Sequence, residues 1–458
     1  MRQLALLAVT IPLAIVSVVN PQIGLLGYVW FSLMRPDYLA YSVGLHGASE
    51  WLALGVLLGS WRFLANAGRA WITNPYSRWL LLLQIPLFLS TRTALYPEYS
   101  LLAYWQFLRA CIMALMVPLL ITKIDDLKKL YLVTAFSVGI YGLRDGVTGV
   151  LHGGLRIWSG IGGFMSDNNT YACGVLMALP FCWYSARLVA NKWLRAFFLA
   201  MALGCIGTVV LTFSRGAAVA MAVVLLLIAL EAKRKALTVA GLLVLGALPA
   251  FYLVHNQYLN RLATIATYEE DASAMSRIFL MHAALRVWQD HPLLGAGYGQ
   301  QNFYTASAPY VPDPEHPIVV HNSYLEVLAE SGLFACFIYI CLLASCLWGV
   351  WRSSRYFAKI RPELVFYPRA IQASLVGFLI CSATQPRFQF DLTYYVLMYA
   401  AAWHNIAREV STSTPPGLVG GPVGATESAP AWARPALPFL RPLAGNRRPL
   451  GAPSGPTA

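Results

Sequence analysis

The chain has 458 residues, 58% hydrophobic and only 12% charged, with a net charge of +13 and a mean hydropathy of +0.58. Soluble domains carry about 25% charged residues, so the composition excludes an ordinary soluble enzyme and points to an all-α polytopic integral membrane protein. The short alternating segments of a membrane barrel are missing. Most basic residues flank apolar runs, so the positive charge speaks for topology and against a nucleic-acid partner.

Apolar runs able to span lie near 4–19, 21–34, 51–65, 79–91, 101–121, 128–142, 171–186, 193–213, 216–231, 236–254, 322–350, 364–384 and 391–407. The first lacks a small-residue cleavage pattern and reads as a retained segment. The first two are broken by Asn20-Pro21 and form one hairpin, one kinked helix or two spans, so the total is 12 or 13 transmembrane helices.

Basic clusters set the orientation. Arg62, Arg69 and Arg78 fall in one loop, Lys123, Lys128 and Lys129 in the next, then Arg187, Lys192 and Arg195, then Lys233, Arg234 and Lys235, and finally Arg352, Arg355, Lys359, Arg361 and Arg369. Placing these in the cytoplasm leaves 92–100, 143–170, 214–216, 255–321 and 385–390 outside. Three regions follow: an N-terminal transmembrane region 1–190, a region 191–408 holding the long external loop 255–321, and a Pro/Gly/Ala-rich cytoplasmic tail 409–458 that reads as disordered. The eight cysteines lie within or beside apolar runs without CxxC spacing, and read as small embedded side chains without disulfides or a metal site.

In the long loop, SRIFLMHAALRVWQD (276–290) has helical spacing, with Ile278, Met281, Leu285 and Trp288 on one face and Ser276 as a cap. HPLLGAGYGQ follows as a Gly/Pro turn. Polar groups beside apolar runs need a reason. In FSRG (213–216), Gly216 makes a helix corner, with Arg215 either touching headgroups or facing outward as a cation for an anionic lipid-linked substrate. Arg277 stands near a helix start, where its charge opposes the dipole and suits an external anion; Arg286 is a weaker candidate. His321 stands where the external loop meets the membrane and is able to exchange a proton near neutral pH. Asn322 is a good N-cap. Asn322, Glu326 and Glu330 share one helical face, a polar stripe that must face protein or a water cavity and could orient the histidine. Asp167-Asn168-Asn169 reads as a plain N-cap cluster ahead of the 171–186 run. There is no P-loop or Rossmann fingerprint.

His321-Asn322, nine residues and then Gly332 resemble the H-[NSQ]-x9-G-x-x-G signature of bacterial O-antigen ligases and related polymerases, with Ala335 in the final glycine position. SRG at 214–216, SR at 276–277 and HPLLGAGYG at 291–299 resemble that superfamily too. SDNNTYA (166–172) and the N-terminal part are similar to the O-glycosylation ligases associated with exosortase systems. The resemblance implies a glycosyltransferase-type ligase in the bacterial inner membrane, its site facing the periplasm, without cofactor, metal or nucleotide. The donor would be a glycan on undecaprenyl diphosphate, and the acceptor a hydroxyl. It implies His321 as general base and Arg215 and Arg277 as the holders of the diphosphate. A polymerase of the same superfamily shares these features. A transporter of lipid-linked glycans would need polar groups along a path on both sides of the bilayer and often paired broken helices; here they cluster outside and no inverted repeat is found. A non-catalytic scaffold in envelope assembly would not need His321.

Overall fold

The computed structural model describes residues 2–39, 48–231, 241, 272–316 and 318–413. The apolar run 236–254 (save residue 241), the cluster Lys233-Arg234-Lys235, the loop up to residue 271 and the tail from residue 414 lie outside the described residues.

The chain is an all-α polytopic membrane fold. Among the described residues its longer α-helices are α1 Arg2–Val19, α2 Pro21–Met34, α3 Ala48–Gly59, α4 Pro75–Arg92, α5 Pro97–Leu120, α6 Ile124–Leu151, α7 Asn168–Leu188, α8 Lys192–Leu211, α9 Arg215–Leu230, α10 Ala272–Asp290, α11 Gln300–Ser307, α12 Ser323–Ile360, α13 Phe366–Ser382 and α14 Asp391–Ser413. A two-stranded antiparallel pair, β1 Ser159–Gly162 and β2 Met165–Asp167, precedes α7. Among the described residues, five segments are long and apolar enough to cross a membrane: α1, α5, α8, α12 and Pro362–Ser382.

The first two runs form a hairpin about Asn20-Pro21. Asn20 caps α2 by accepting the Ile23 amide at 3.2 Å, and Gly24 and Gly27 of α2 lie against Ser17 and Leu13 of α1. Small residues govern the closest helix contacts, as expected where lipid gives little hydrophobic drive. On α6, Gly139 faces Cys182, Gly142 faces Cys205 and Gly146 faces Gly204. The cysteines thus serve as small packing side chains, and all eight are free thiols. α14 is almost wholly buried, with Tyr394, Tyr395, Tyr399 and Trp403 inside the core.

The two ends of the bundle are chemically distinct. At the basic end Arg69 pairs with Glu409 at 2.5 Å and Arg369 with Glu231 at 3.1 Å. At the end poor in Lys and Arg, the connecting loops bind one another: Leu95 N donates to Ala296 O at 3.2 Å, Tyr96 N to Asn302 Oδ1 at 2.8 Å, and Gln385 Nε2 to Ser214 Oγ at 3.4 Å. The loops placed together by charge do meet at one end.

Two local expectations need correction. α10 buries Leu280, Ala283, Ala284 and Val287, whereas Leu285 is exposed and Ile278, Met281 and Trp288 only half-buried. The alanines let α10 approach α12 closely, so shape outweighs the larger apolar residues in choosing the buried face; Ser276 lies within the helix instead of capping it. At FSRG the turn is made by Phe213, at φ 58°, and Gly216 is already helical, packed on Thr384.

Candidate active site

The site is built around a break in α12. Asn322 caps this helix: its Oδ1 accepts the Tyr324 and Leu325 amides at 3.0 and 3.1 Å, and its Nδ2 donates to Ala383 O at 3.2 Å. After about two and a half turns the helix is interrupted at Gly332, with φ 74° and ψ −174°. The HPLLGAGYG loop lies along the break. Ala296 N donates to Ala329 O at 2.9 Å, Gly297 N to Glu330 O at 3.0 Å, and Leu333 N to Pro292 O at 3.0 Å. The loop therefore satisfies backbone groups that the break would otherwise orphan.

The polar stripe on α12 faces protein. Glu330, 5% exposed, accepts the Gly299 amide at 3.0 Å, and Glu326 accepts the Phe388 amide at 3.2 Å. Ser323 Oγ donates to Gln385 O at 2.8 Å and accepts from Arg387 N at 2.6 Å. These groups fasten the 383–390 and 292–299 loops to α12, directly beneath His321.

His321 is half-buried at the mouth of this assembly. Its pKa is lowered to about 4, first by loss of solvent and then by the positive charges of Arg277 and Arg387, with Asp167 acting in the opposite sense. The imidazole is therefore neutral at neutral pH and able to accept a proton. The fold thus brings Arg277 to His321 from a segment 44 positions earlier. Arg215 starts α9, and its neighbours Ser214 and Gly216 meet Gln385 and Thr384 of the same 383–387 loop. Arg286 is exposed and donates to Gln289 Oε1 at 3.3 Å, away from this set.

Arg387 escaped the sequence reading, and so did its pairing with Asp167. Arg387, 8% exposed, donates through Nε to Gln385 Oε1 at 3.1 Å and through Nη2 to Asp167 Oδ2 at 3.5 Å. Asp167 does cap α7, accepting the Asn169 and Thr170 amides at 2.9 and 3.1 Å, but it also faces Arg387. Burial pushes its carboxyl upward, yet the charge of Arg387 and the bonds from Thr170 and Asn169 outweigh that and hold it below the ordinary range. The signal for Arg387 was an arginine in a loop otherwise poor in basic residues. Arg156 lies over the Trp158 ring at 3.7 Å and the Phe213 ring at 5.6 Å. Among the described residues no group of His, Cys, Asp and Glu is arranged to hold a metal.

Two family comparisons cover most of the chain. Residues 196–340 match the O-Antigen ligase family (Wzy_C), a stretch running from α8 through His321 and the α12 break. Residues 1–189 match a family of unknown function (DUF5935). No curated protein matches the chain. The first match supports the O-antigen ligase superfamily and a multi-pass membrane enzyme of ligase or polymerase type, working on lipid-linked glycans.

Proposed function

We propose that the protein is a glycan ligase that transfers an oligo- or polysaccharide from undecaprenyl diphosphate to an acceptor hydroxyl, at the periplasmic face of a bacterial inner membrane. The observation that carries this reading is a neutral histidine flanked by Arg277 and Arg387, within reach of loops gathered at the Lys/Arg-poor end. The donor already carries a good leaving group, so the task is to hold its charge and to free the acceptor oxygen. Arg215 and Arg277 bind the diphosphate, and Arg387 adds to the positive field. The first amides of α9, which receive no side-chain cap, point the same way. His321 takes the acceptor proton as the oxygen attacks the anomeric carbon. The bond from that carbon to phosphate breaks, undecaprenyl diphosphate leaves, and the anomeric configuration inverts. Asn322 and Glu326 act by position, holding the loops that carry Arg387. The exosortase-associated subtype rests on the resemblance of SDNNTYA and the N-terminal part alone.

The test is transfer by the purified protein in liposomes that contain the lipid-linked glycan and a hydroxyl acceptor. One glycan per acceptor, with stoichiometric release of undecaprenyl diphosphate that EDTA does not suppress, is the expected result. A ladder of lengthened lipid-linked chains would make it a polymerase. Donor crossing the bilayer uncleaved would overturn the reading.

The same assay checks the base. The acid limb of kcat/KM, a property of free enzyme, is expected near about 4, since only the neutral imidazole accepts a proton. Arg277→Gln removes one cation that opposes protonation, so the limb should move upward toward the ordinary histidine value of about 6.5. A limb unmoved by that change would disconnect His321 from the rate.

A further inference from the structure

A second cavity, of about 790 Å³, lies between α2, α3, α5 and the start of α14. Its polar wall is Arg35, Asp37, Glu50, Gln106, Arg109 and Asp391. The β1–β2 hairpin separates it from His321. Asp167 at the end of the hairpin meets Arg387, whereas Gly162 and Gly163 at its turn pack on Tyr38 and Arg35. The cavity belongs to the segment that matches a family of unknown function.

Charged groups in a membrane helix are expensive and mark function by default. Arg109 lies midway along α5 and pairs with Glu50 at 2.7 Å, yet the two side chains stay 54% and 62% exposed. The pair therefore opens to the cavity and is not sealed in the core. Arg35 caps α2 in the left-handed region, φ 51° and ψ 55°, an uncommon conformation for arginine. It binds Asp37 through two nitrogens, at 3.1 and 2.9 Å, and lies 4.4 Å over the Tyr38 ring. Asp391 feels Arg35 through space only; among the described residues no hydrogen bond reaches its carboxylate. Two cations against three carboxylates leave this wall one negative charge, the wrong sign for a diphosphate. Glu50, Arg109 and Asp391 suit hydroxyl groups, and the Tyr28 ring lines the cavity beside them. Deeper in, the lining turns apolar. Leu54 and Leu57 there are 57% and 41% exposed, so the cavity opens onto the apolar outer surface of α3.

We propose that this cavity binds the uncharged saccharide headgroup of a membrane lipid, the chain leaving over Leu54 and Leu57. The experiment is lipid binding to the full-length protein in nanodiscs, followed by native mass spectrometry. The probes are diglucosyl diacylglycerol, phosphatidylglycerol and maltotriose. The glucolipid should bind the wild type, and Glu50→Gln or Asp391→Asn should weaken it about tenfold or more. Leu57→Trp should block it by filling the apolar exit without touching a charge. His321→Ala should bind it like the wild type although it fails in transfer, which separates this proposal from the ligase reading. Equal affinity in all three cavity variants, each with an unchanged melting midpoint, would overturn the site. Phosphatidylglycerol binding as tightly as the glucolipid would overturn the headgroup, and maltotriose binding as tightly would overturn the lipid.

Discussion

His321→Ala is expected to lower glycan transfer by about 10²–10⁴-fold, the usual worth of a positioned general base, while undecaprenyl-diphosphate-linked glycan accumulates in membranes at matched expression. The side chain lies outside the core and caps nothing, since Asn322 caps α12, so the variant should fold and keep its melting midpoint. The loss should fall on kcat more than on KM, because the imidazole acts on the acceptor proton in the transition state and not on the bound diphosphate. Arg277→Ala is the contrasting case, since it removes a group assigned to the leaving diphosphate and should also weaken donor binding. Normal transfer by His321→Ala, measured as labelled glycan reaching acceptor, would end the base assignment and leave His321 an incidental residue at a helix start.

Gly332→Ala should cost on the order of 3–5 kcal/mol, large for a single methyl group. The backbone there, φ 74° and ψ −174°, lies in a region essentially restricted to glycine. The added carbon would also run into the backbone carbonyl of Leu293, which cannot swing aside as a side-chain tip can. Relief requires lifting the 292–299 loop, which breaks the Ala296–Ala329 and Gly297–Glu330 bonds and strips Glu330 of the Gly299 amide. The variant should lose about 5 °C or more from its melting midpoint in detergent, together with transfer activity. Ala335→Gly, three positions on and buried against the core, should leave both nearly unchanged. An unaltered midpoint in Gly332→Ala would mean that the loop and helix are not locked together.

The contrast explains why the motif was only partly legible. Spacing alone marks Gly332 as part of a signature, but says nothing of why a glycine is required. The reason is the loop at Leu293, 39 positions upstream, which needs the space a Cβ would take. Likewise Asp167 was readable as a cap because capping is local, whereas its pairing with Arg387 joins residues 220 positions apart. Leu280 and Val287, not Ile278 and Trp288, face the core because α12 lies close, and periodicity does not report the neighbour's distance.

The sequence by itself determined the membrane character, the helix positions and the segregation of loops by charge. Those follow from local hydrophobicity and from where Lys and Arg fall, each a property of a short window. It also singled out His321, Arg215 and Arg277 by residue type and order. Only the tertiary structure decided which cations act on the histidine, that Glu326 and Glu330 hold loop amides, and that a second polar cavity opens beside α2 and α5. Coulomb interactions and hydrogen bonds depend on separation in space, and that separation is set by how the helices pack, not by how far apart the residues stand in the chain.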